Sequence, residues 1–247
     1  MNIRNILSPQ GQIKLIDGPN FVDPIKDASV AARLLKYSVE NSAGAFARIY
    51  RPARTLAFTS RDSSTPGYEQ AKKRARELGF EPILRSPGGR AVAYHEESVV
   101  LDLLSSDPNP HALINARFKS VGELFVESFR RLGIEARIGE IPREYCPGKY
   151  SVVGENVKFV GTAQRIMRGG WLLGGSVIVR NAAPVREVLG HVYQAMNVDM
   201  DQSTVAALNE YDSHLSVDDV IHSLTDVMKE NFEIIECDLS LSEKAYA

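Results

Sequence analysis

Hydrophobic residues spaced three and four positions apart predict five helices in this sequence. The helical segments are residues 24–44, 64–80, 110–134, 182–196 and 215–232. Thr65 is a candidate N-cap for the second helix, and Gly79 is a candidate stop signal. Ser216 followed by Asp219 forms a capping-box pattern at the start of the last helix.

Short apolar runs between these helices predict strands. The strand-like segments are residues 45–52, 55–60, 81–86, 91–104, 135–141, 150–153, 157–167 and 171–179. Several are joined by very short connections, such as the hairpin-like break at residues 154–156, and short connections favour antiparallel neighbours. We therefore expect an α/β protein of the α+β type, with a mixed, largely antiparallel sheet flanked by helices.

Length and composition are those of one ordinary globular domain. The chain has 247 residues, of which 44% are hydrophobic and 24% are charged. We expect a single domain over 1–247, with a motif-bearing core at about 46–195 and a C-terminal extension of helix and strand at 200–247. The net charge of −2 gives no reason to expect nucleic acid as a partner, and no apolar run is long enough to span a membrane. The N-terminus has no apolar signal-type region, so we expect a cytoplasmic protein.

The two cysteines do not suggest a disulfide framework, which favours a reducing compartment. Cys237 lies in a short apolar run, where packing explains a thiol. Cys146 precedes Pro147 and Gly148, so it is predicted to lie on a turn, where it fills little of a core. A thiol displayed on a loop is a candidate nucleophile.

A second candidate site is the segment "RSPGGRAVAYH" at residues 85–95. The adjacent Gly88 and Gly89 allow a backbone to approach a ligand closely, and Arg85 and His95 flank them. The segment lacks the Gly-Lys-Ser/Thr ending of a phosphate-binding loop. A plain β-turn and a structural histidine remain alternatives.

A thiol nucleophile needs a neighbour that favours its thiolate form, and lysine is one such neighbour. Lys158 follows in a predicted strand, while Lys149 is closer in the chain and is the rival partner. The alternative interpretation of Lys158 is an exposed lysine on a strand, with no role at the thiol. The five histidines are scattered, so no metal site is expected, and a serine hydrolase elbow is missing from "GGSVIV".

Two segments together resemble the lipoate–protein ligase and octanoyltransferase family, whose catalytic fold is shared with biotin ligases. "RSPGGRAVAYH" is similar to that family's arginine, double-glycine and histidine element, and "VKFVGTAQR" is similar to its lysine, glycine and glutamine element. The similarity extends from about Tyr50 to Val179.

The loop "EYCPGKYSV" is most similar to the branch that moves octanoyl groups from the glycine-cleavage H protein to other lipoyl domains. That resemblance implies Cys146 as the nucleophile, through a thioester, and Lys158 as the group that favours its thiolate. It implies these substrate-binding residues: Arg85, Gly88, Gly89, His95, Gly161, Thr162 and Gln164. One departure is Ser151, since an acidic residue commonly follows the loop tyrosine in the family.

The implied activity is transfer of an octanoyl or lipoyl group onto a specific lysine of a lipoyl domain, with no bound cofactor. Implied partners are the H protein, the acyltransferase subunits of 2-oxoacid dehydrogenases and, as a further donor, acyl carrier protein. An ATP-dependent lipoate–protein ligase is one alternative, and a non-catalytic binding protein of the same fold is another.

Overall fold

The computed structural model describes residues 2–16 and 23–237 of the protein. Its helices are α1 (Ile3–Leu7), α2 (Pro24–Asn41), α3 (Ser60–Ser63), α4 (Tyr68–Glu77), α5 (Ile114–Arg131), α6 (Ala182–Ala195) and α7 (Val217–Asn231), with 3-10 turns at Gln202–Thr204 and Leu208–Glu210. Its strands are β1 (Gln12–Ile16), β2 (Ala45–Tyr50), β3 (Thr55–Phe58), β4 (Glu81–Leu84), β5 (Val92–Tyr94), β6 (Ser98–Ser106), β7 (Arg137–Ile138), β8 (Val152–Val153), β9 (Lys158–Met167), β10 (Gly170–Ile178) and β11 (Glu233–Cys237).

The described strands form a large sheet of eight strands and a small sheet of three. The large sheet has the order β11-β1-β2-β6-β10-β9-β8-β7, and the small sheet has the order β4-β3-β5. From β2 to β7 every neighbouring pair in the large sheet is antiparallel, while β11-β1 and β1-β2 are parallel. The predicted mixed, largely antiparallel sheet is confirmed.

Helices cover both faces of the large sheet. Leu34 and Leu35 of α2 pack with Phe46 and Leu172 on one face. Helices α5 and α7 pack on the other face, around residues that include Phe125. Helices α4 and α6 form a further apolar cluster with the small sheet. Ile178, the last residue of β10, belongs to the same cluster, so the small sheet packs against the end of β10.

Two local predictions have opposite outcomes. The capping box of α7 is confirmed, because Ser216 and Asp219 bond reciprocally across the first turn. The predicted N-cap at Thr65 is wrong, because α4 begins at Tyr68 after Gly67 in a left-handed conformation. Thr65 instead completes the preceding turn, with its hydroxyl bonded to the carbonyl of Arg61.

The segment 91–104 was predicted as one strand, but it is divided between the two sheets. Strand β5 belongs to the small sheet and β6 to the large sheet. A turn closes between them, where the amide of Ser98 donates to the carbonyl of His95 at 2.8 Å. The segment 135–141 is also shorter than predicted, because only Arg137–Ile138 pair as strand.

The C-terminal part joins the main core. Leu224 and Met228 of α7 are fully buried, and the hydroxyl of Ser223 donates to the carbonyl of Ser128 in α5. The end of the predicted extension, residues 238–247, lies outside the described residues, so the single domain stays a prediction. No helix within residues 2–16 and 23–237 is both long and apolar enough to cross a bilayer.

Candidate active site

Cys146 lies in the loop between β7 and β8, in a backbone conformation that is unusual for a residue with a side chain. Its φ is +43°, in the left-handed region, which costs roughly 1–2 kcal/mol for a non-glycine residue. The amide of Cys146 donates to the hydroxyl of Tyr193 at 2.7 Å, and this bond helps to hold the strained conformation. The residue is only 8% exposed and belongs to a buried apolar cluster, so the expectation that it fills little of a core is wrong.

The sulfur of Cys146 contacts the double-glycine segment. The backbone N–H of Arg90 points at Sγ, with N and Sγ 3.2 Å apart. The guanidinium of Arg85 lies 3.7 Å from the same sulfur through Nη2. One N–H dipole and one positive charge therefore face the sulfur of Cys146.

The double-glycine segment is fixed by its own arginines and by the cap of α3. Arg85 Nη2 donates to the carbonyls of Gly88 at 2.9 Å and Arg90 at 3.1 Å. Arg90 Nη1 pairs with the buried carboxylate of Asp62 at 3.3 Å. The hydroxyl of Thr59, the N-cap of α3, lies 3.2 Å from the carbonyl oxygen of Gly89. These contacts hold the N–H of Arg90 in place against the sulfur.

Lys158, the first residue of β9, contacts the main chain of the Cys146 loop. Its ammonium donates to the carbonyl of Tyr145 at 2.8 Å and to the carbonyl of Cys146 at 2.7 Å. The side chain is 1% exposed, so the alternative of an exposed strand lysine is wrong. Burial lowers the pKa of Lys158, and the neighbouring Cys146 and Glu144 oppose that shift.

Glu144 is a buried carboxylate that the sequence analysis missed. Its Oε1 accepts from the amide of Gly148 at 2.9 Å and from the hydroxyl of Ser151 at 2.8 Å, and it lies 3.5 Å from Lys158 Nζ. The hydroxyl of Ser151 thus bonds to an acid from the other end of the loop. Glu144 therefore ties the two ends of the Cys146 loop to Lys158.

Lys149, the rival lysine, lies on the outside of the same loop. It is exposed, and its ammonium sits 5.0 Å from the centre of the Tyr150 ring. That ring stacks on Phe118 of α5. Lys149 therefore faces solvent, and it offers a matched control for Lys158.

The motif residues of β9 are divided between the two faces of the large sheet, because side chains alternate along a strand. Gly161 and Ala163 pair with Ser176 and Gly174 of β10, and all four line one cavity. Thr162 pairs with Gly175, where an added Cβ would meet the Phe125 ring of α5 on the opposite face.

Gln164 alternates with Ala163 and so shares the face of Thr162. Both atoms of its side-chain amide are buried without a hydrogen-bond partner among the described residues. The hydroxyl of Thr162 donates to the carbonyl of Tyr150 at 3.3 Å, in the Cys146 loop. The structure thus brings Gly161 to the cavity and sets Thr162 and Gln164 behind it.

A cavity is lined by residues of β6, β9 and β10 of the large sheet, and we call it the central cavity. Its volume is about 80 Å³, and its lining includes Arg85, Gly161, Ala163, Gly174, Tyr50 and Asp102. Arg85 connects it to the thiol, since the same guanidinium contacts Sγ of Cys146. Glycine and alanine along its floor leave room for a narrow ligand.

His95 lies at the corner between the two sheets, and main-chain groups occupy both of its ring nitrogens. The amide of Glu97 donates to Nδ1 at 3.0 Å, so Nε2 carries the proton and donates to the carbonyl of Asn181 at 3.0 Å. The side chain is 1% exposed. This environment supports the alternative of a structural histidine that holds the corner after β5.

Tyr193 of α6 and Arg90 also belong to the site, although the sequence analysis did not select them. The Tyr193 hydroxyl accepts from Cys146 N and donates to the carbonyl of Ala91 at 3.0 Å, so it bridges the two motif segments. A tyrosine on the apolar face of a helix has no periodic signal of this role. Arg90 acts through its backbone N–H, which no sequence pattern singles out.

Gly89 offers a test of this geometry. A Cβ at Gly89 would lie 2.7 Å from Cys146 Sγ, and its φ of +103° also disfavours a side chain. We expect Gly89→Ala to displace the thiol and to slow its alkylation by iodoacetamide by about tenfold or more. At Gly88 an added Cβ meets nothing within 4 Å, so Gly88→Ala is the matched control.

Thermal denaturation checks that both glycine variants are folded. Equal alkylation rates in two folded variants would contradict the close contact between Gly89 and the sulfur.

Comparisons with known proteins identify the family and the fold of this chain. The family model described as the lipoyl protein ligase A/B catalytic domain matches residues 23–229. An octanoyl-[GcvH]:protein N-octanoyltransferase of an Exiguobacterium species is 26% identical over 151 residues, covering 61% of this chain and 54% of the relative. The enzyme of the same name from Bacillus velezensis is 27% identical over 199 residues, covering 75% of this chain and 69% of that relative. The chain thus spans little more than half to about two thirds of the length of these relatives.

Solved structures show the same fold. A crystal structure of lipoate-protein ligase A bound with ATP superposes with a TM-score of 0.73 at 18% identity, covering 95% of this chain and 91% of that one. A bipartite lipoate protein ligase from Thermoplasma acidophilum, studied with its E2 lipoyl domain, superposes with a TM-score of 0.70 at 19% identity, covering 95% and 89%. Within the described part of this chain, no cluster of three or more His, Cys, Asp or Glu residues is placed to hold a metal ion.

Proposed function

This chain belongs to the lipoyl protein ligase A/B catalytic domain family, and we propose that it transfers an octanoyl or lipoyl group onto a lysine of a lipoyl domain. The proposed route is a covalent one, through a thioester on Cys146. The observation that carries it is the contact of the Cys146 sulfur with the backbone N–H of Arg90, at 3.2 Å, beside the guanidinium of Arg85. A buried thiol that only fills space has no need of an aimed donor and a cation.

The reaction has two acyl transfers. In the first, the Cys146 thiolate attacks the acyl carbonyl of an octanoyl-lysine amide, the C–N bond breaks, and the donor lysine leaves as an amine that takes up a proton. In the second, the deprotonated amine of the acceptor lysine attacks the thioester, an amide forms, and the thiolate returns. Each step passes through an oxyanion, which donors near the sulfur stabilise.

Lys158 is the proposed carrier of the protons in these steps. Burial lowers its pKa, so it gives up and regains a proton more readily than a surface lysine. Its charge also lies beside the loop carbonyl of Cys146. Lys158 therefore both holds the loop and balances the charge on the sulfur.

The central cavity is the proposed place for the acyl chain. It begins at Arg85, which contacts the thiol, and it continues over Gly161 and Ala163. An eight-carbon chain needs more than about 80 Å³, so we expect the cavity to widen when the acyl group enters. Gly88 and Gly89 let the donor amide approach the sulfur from the open side.

The proposed protein partners are lipoyl-domain proteins, including the glycine-cleavage H protein and the acyltransferase subunits of 2-oxoacid dehydrogenases. The curated relatives are named for transfer from octanoyl-GcvH, which makes octanoylated H protein the first donor to test. Acyl carrier protein is a second donor to test.

The experiment is octanoyl transfer from octanoylated H protein to a separate lipoyl domain, with the enzyme freed of nucleotide. We expect transfer at the same rate with and without ATP, because the donor amide already carries the acyl group and no activation by adenylation is required. Mass spectrometry of the acceptor domain measures the rate.

Strict dependence on ATP, with free octanoate as the only competent donor, would replace this proposal with an ATP-dependent ligase. Tight binding of the lipoyl domain without any transfer from either donor would replace it with a binding protein of the same fold.

A further inference from the structure

The segments that form the site expose only positive charges, although the whole chain has a net charge of −2. These segments are the double-glycine segment 85–90, the loop 144–151, helix α3 and strand β9, which contact one another around the sulfur. The two carboxylates that they contain, those of Asp62 and Glu144, are buried. Their exposed charged side chains are Arg61 of α3, Lys149 of the loop and Arg165 of β9.

Arg165 and Arg61 border the double-glycine segment from two different elements. The guanidinium of Arg165 donates to the carbonyl of Ser86 through Nη1 at 3.3 Å. Arg165 also shares a face of β9 with Ala163, because side chains alternate along a strand, and Ala163 lines the central cavity. Arg61 is the second residue of α3, the helix whose N-cap contacts the carbonyl of Gly89. Both cations thus lie beside the segment that contacts the sulfur.

None of the three exposed cations pairs with a carboxylate within the part of the chain that the structure describes. Lys149 lies on the outside of the loop, over the ring of Tyr150. Exposed arginines outside the site do form ion pairs, as Arg143 does with Asp199 at 2.8 Å just before the loop. Like charges without counter-charges repel one another, so a partner that brings carboxylates to this surface is favoured.

A protein that carries an acyl-lysine must place its own surface against these cations. Cys146 is only 8% exposed, so the lysine has to enter the site before its amide can reach the sulfur. A lysine side chain is short, and the surface around it therefore comes to rest on the segments that border the site. Gly88 and Gly89 are exposed and have no side chains to block this approach.

We infer that Arg61, Lys149 and Arg165 form a docking surface for the lipoyl domain that brings the acyl-lysine, and that this domain carries carboxylates around that lysine. The inference rests on the proposed acyl transfer and names the feature by which the partner is recognised. Complementary charges raise the rate of encounter, and salt weakens the effect because ions screen exposed charges beyond about 8–10 Å. Arg165 should contribute most, since it lies against Ser86 in the segment that contacts the sulfur.

The test measures acylation of Cys146 by octanoylated H protein, a half-reaction with a single docking event. The initial rate at donor concentrations below KM is followed by intact-mass spectrometry at low and at high ionic strength. At low ionic strength we expect Arg165→Glu to lower kcat/KM about tenfold, and the triple variant with Arg61→Glu and Lys149→Glu to lower it about 100-fold. High ionic strength should shrink both differences.

Three comparisons separate docking from other effects of these substitutions. Lys229→Glu makes the same charge change at an exposed position of α7, outside the four segments, and should be acylated as the wild type is. Arg165→Lys keeps the charge but not the guanidinium that bonds to Ser86, and it should retain most of the rate. Alkylation of Cys146 by iodoacetamide, a small neutral reagent, should stay within about twofold of wild type in every variant.

The possible failures are distinct. If the charge-reversal variants are acylated at the rate of Lys229→Glu, or if salt affects them as it affects the wild type, this inference is overturned and the proposed acyl transfer stands. If alkylation by iodoacetamide falls as far as acylation does, the cations act on the thiol, and the docking surface is wrong. If octanoylated H protein does not acylate even the wild type while iodoacetamide alkylates Cys146, the proposed function fails, and the inference fails with it.

Discussion

Cys146→Ser is expected to abolish octanoyl transfer while the protein stays folded. A serine hydroxyl fits the space of the thiol and can still accept from the N–H of Arg90, so the contacts around the loop are kept. The hydroxyl is a far weaker nucleophile at neutral pH than a thiolate. We expect a loss of at least about 1,000-fold, measured as octanoylation of an acceptor lipoyl domain.

Cys237→Ser is the matched control for this variant. Cys237 is the other free cysteine of the described residues, at the end of β11, and it pairs in register with Ile16 far from the motif segments. The Cys237→Ser variant should transfer the octanoyl group at the wild-type rate. Wild-type transfer by Cys146→Ser, with an unchanged unfolding midpoint, would exclude the thioester route.

Lys158→Met is expected to slow alkylation and acylation of Cys146 by about tenfold or more near neutral pH. Methionine nearly keeps the volume of the lysine stem but removes its charge, and a unit charge at short range in a protein of effective dielectric about 20 is worth a few kcal/mol. Transfer to an acceptor lysine should slow further than alkylation does, since the proposed proton carrier is missing as well.

Two further variants separate charge from packing. Lys149→Met should alkylate as the wild type does, because Lys149 is exposed above the Tyr150 ring. The double variant Lys158→Met with Glu144→Gln removes both charges of the buried pair, so it no longer leaves Glu144 without a counter-charge. If the double variant alkylates at the wild-type rate, Lys158 acts only by compensating Glu144, and its proposed role on the thiol is wrong.

Much of the fold could be predicted because it depends on local signals. The apolar spacing of Leu34 and Leu35 places α2, the capping box at Ser216 starts α7, and short connections between strands imply antiparallel pairs. The division of 91–104 between two sheets could not be predicted, because the pattern of apolar residues continues through the turn at His95. At this turn the His95 ring accepts from the nearby amide of Glu97 and donates to the carbonyl of Asn181, and the second partner is distant in sequence.

The site was predictable only where short motifs mark it. The motifs single out Cys146, Arg85 and the two glycines as candidates. The structure shows that Arg85 and Gly89 lie against the sulfur of Cys146. The burial and left-handed backbone of Cys146 follow from Tyr193 and Lys158, whose contacts depend on the tertiary fold. The motif also gives no sign of the strand alternation that sets its neighbouring residues on opposite faces of the sheet.

The buried acidic groups near the thiol and in the cavity lining could not be predicted from any sequence pattern. Glu144 looks like one more charged residue next to a loop, yet it is buried and accepts hydrogen bonds from Gly148 and Ser151 of that loop. Asp102 stands in an apolar strand sequence, and only the register with Gly174 shows that its carboxyl faces a cavity. Pairings between strands, and not the order of residues along them, determine these sites.

The most direct measurement is the intact mass of the enzyme after brief incubation with octanoylated H protein, without nucleotide and without an acceptor. The account predicts a mass increase of one octanoyl group, located on the peptide that contains Cys146, absent from Cys146→Ser and discharged when an acceptor lipoyl domain is added. Transfer to the acceptor with no acylated enzyme at any time, and with equal rates in wild type and Cys146→Ser, would contradict it.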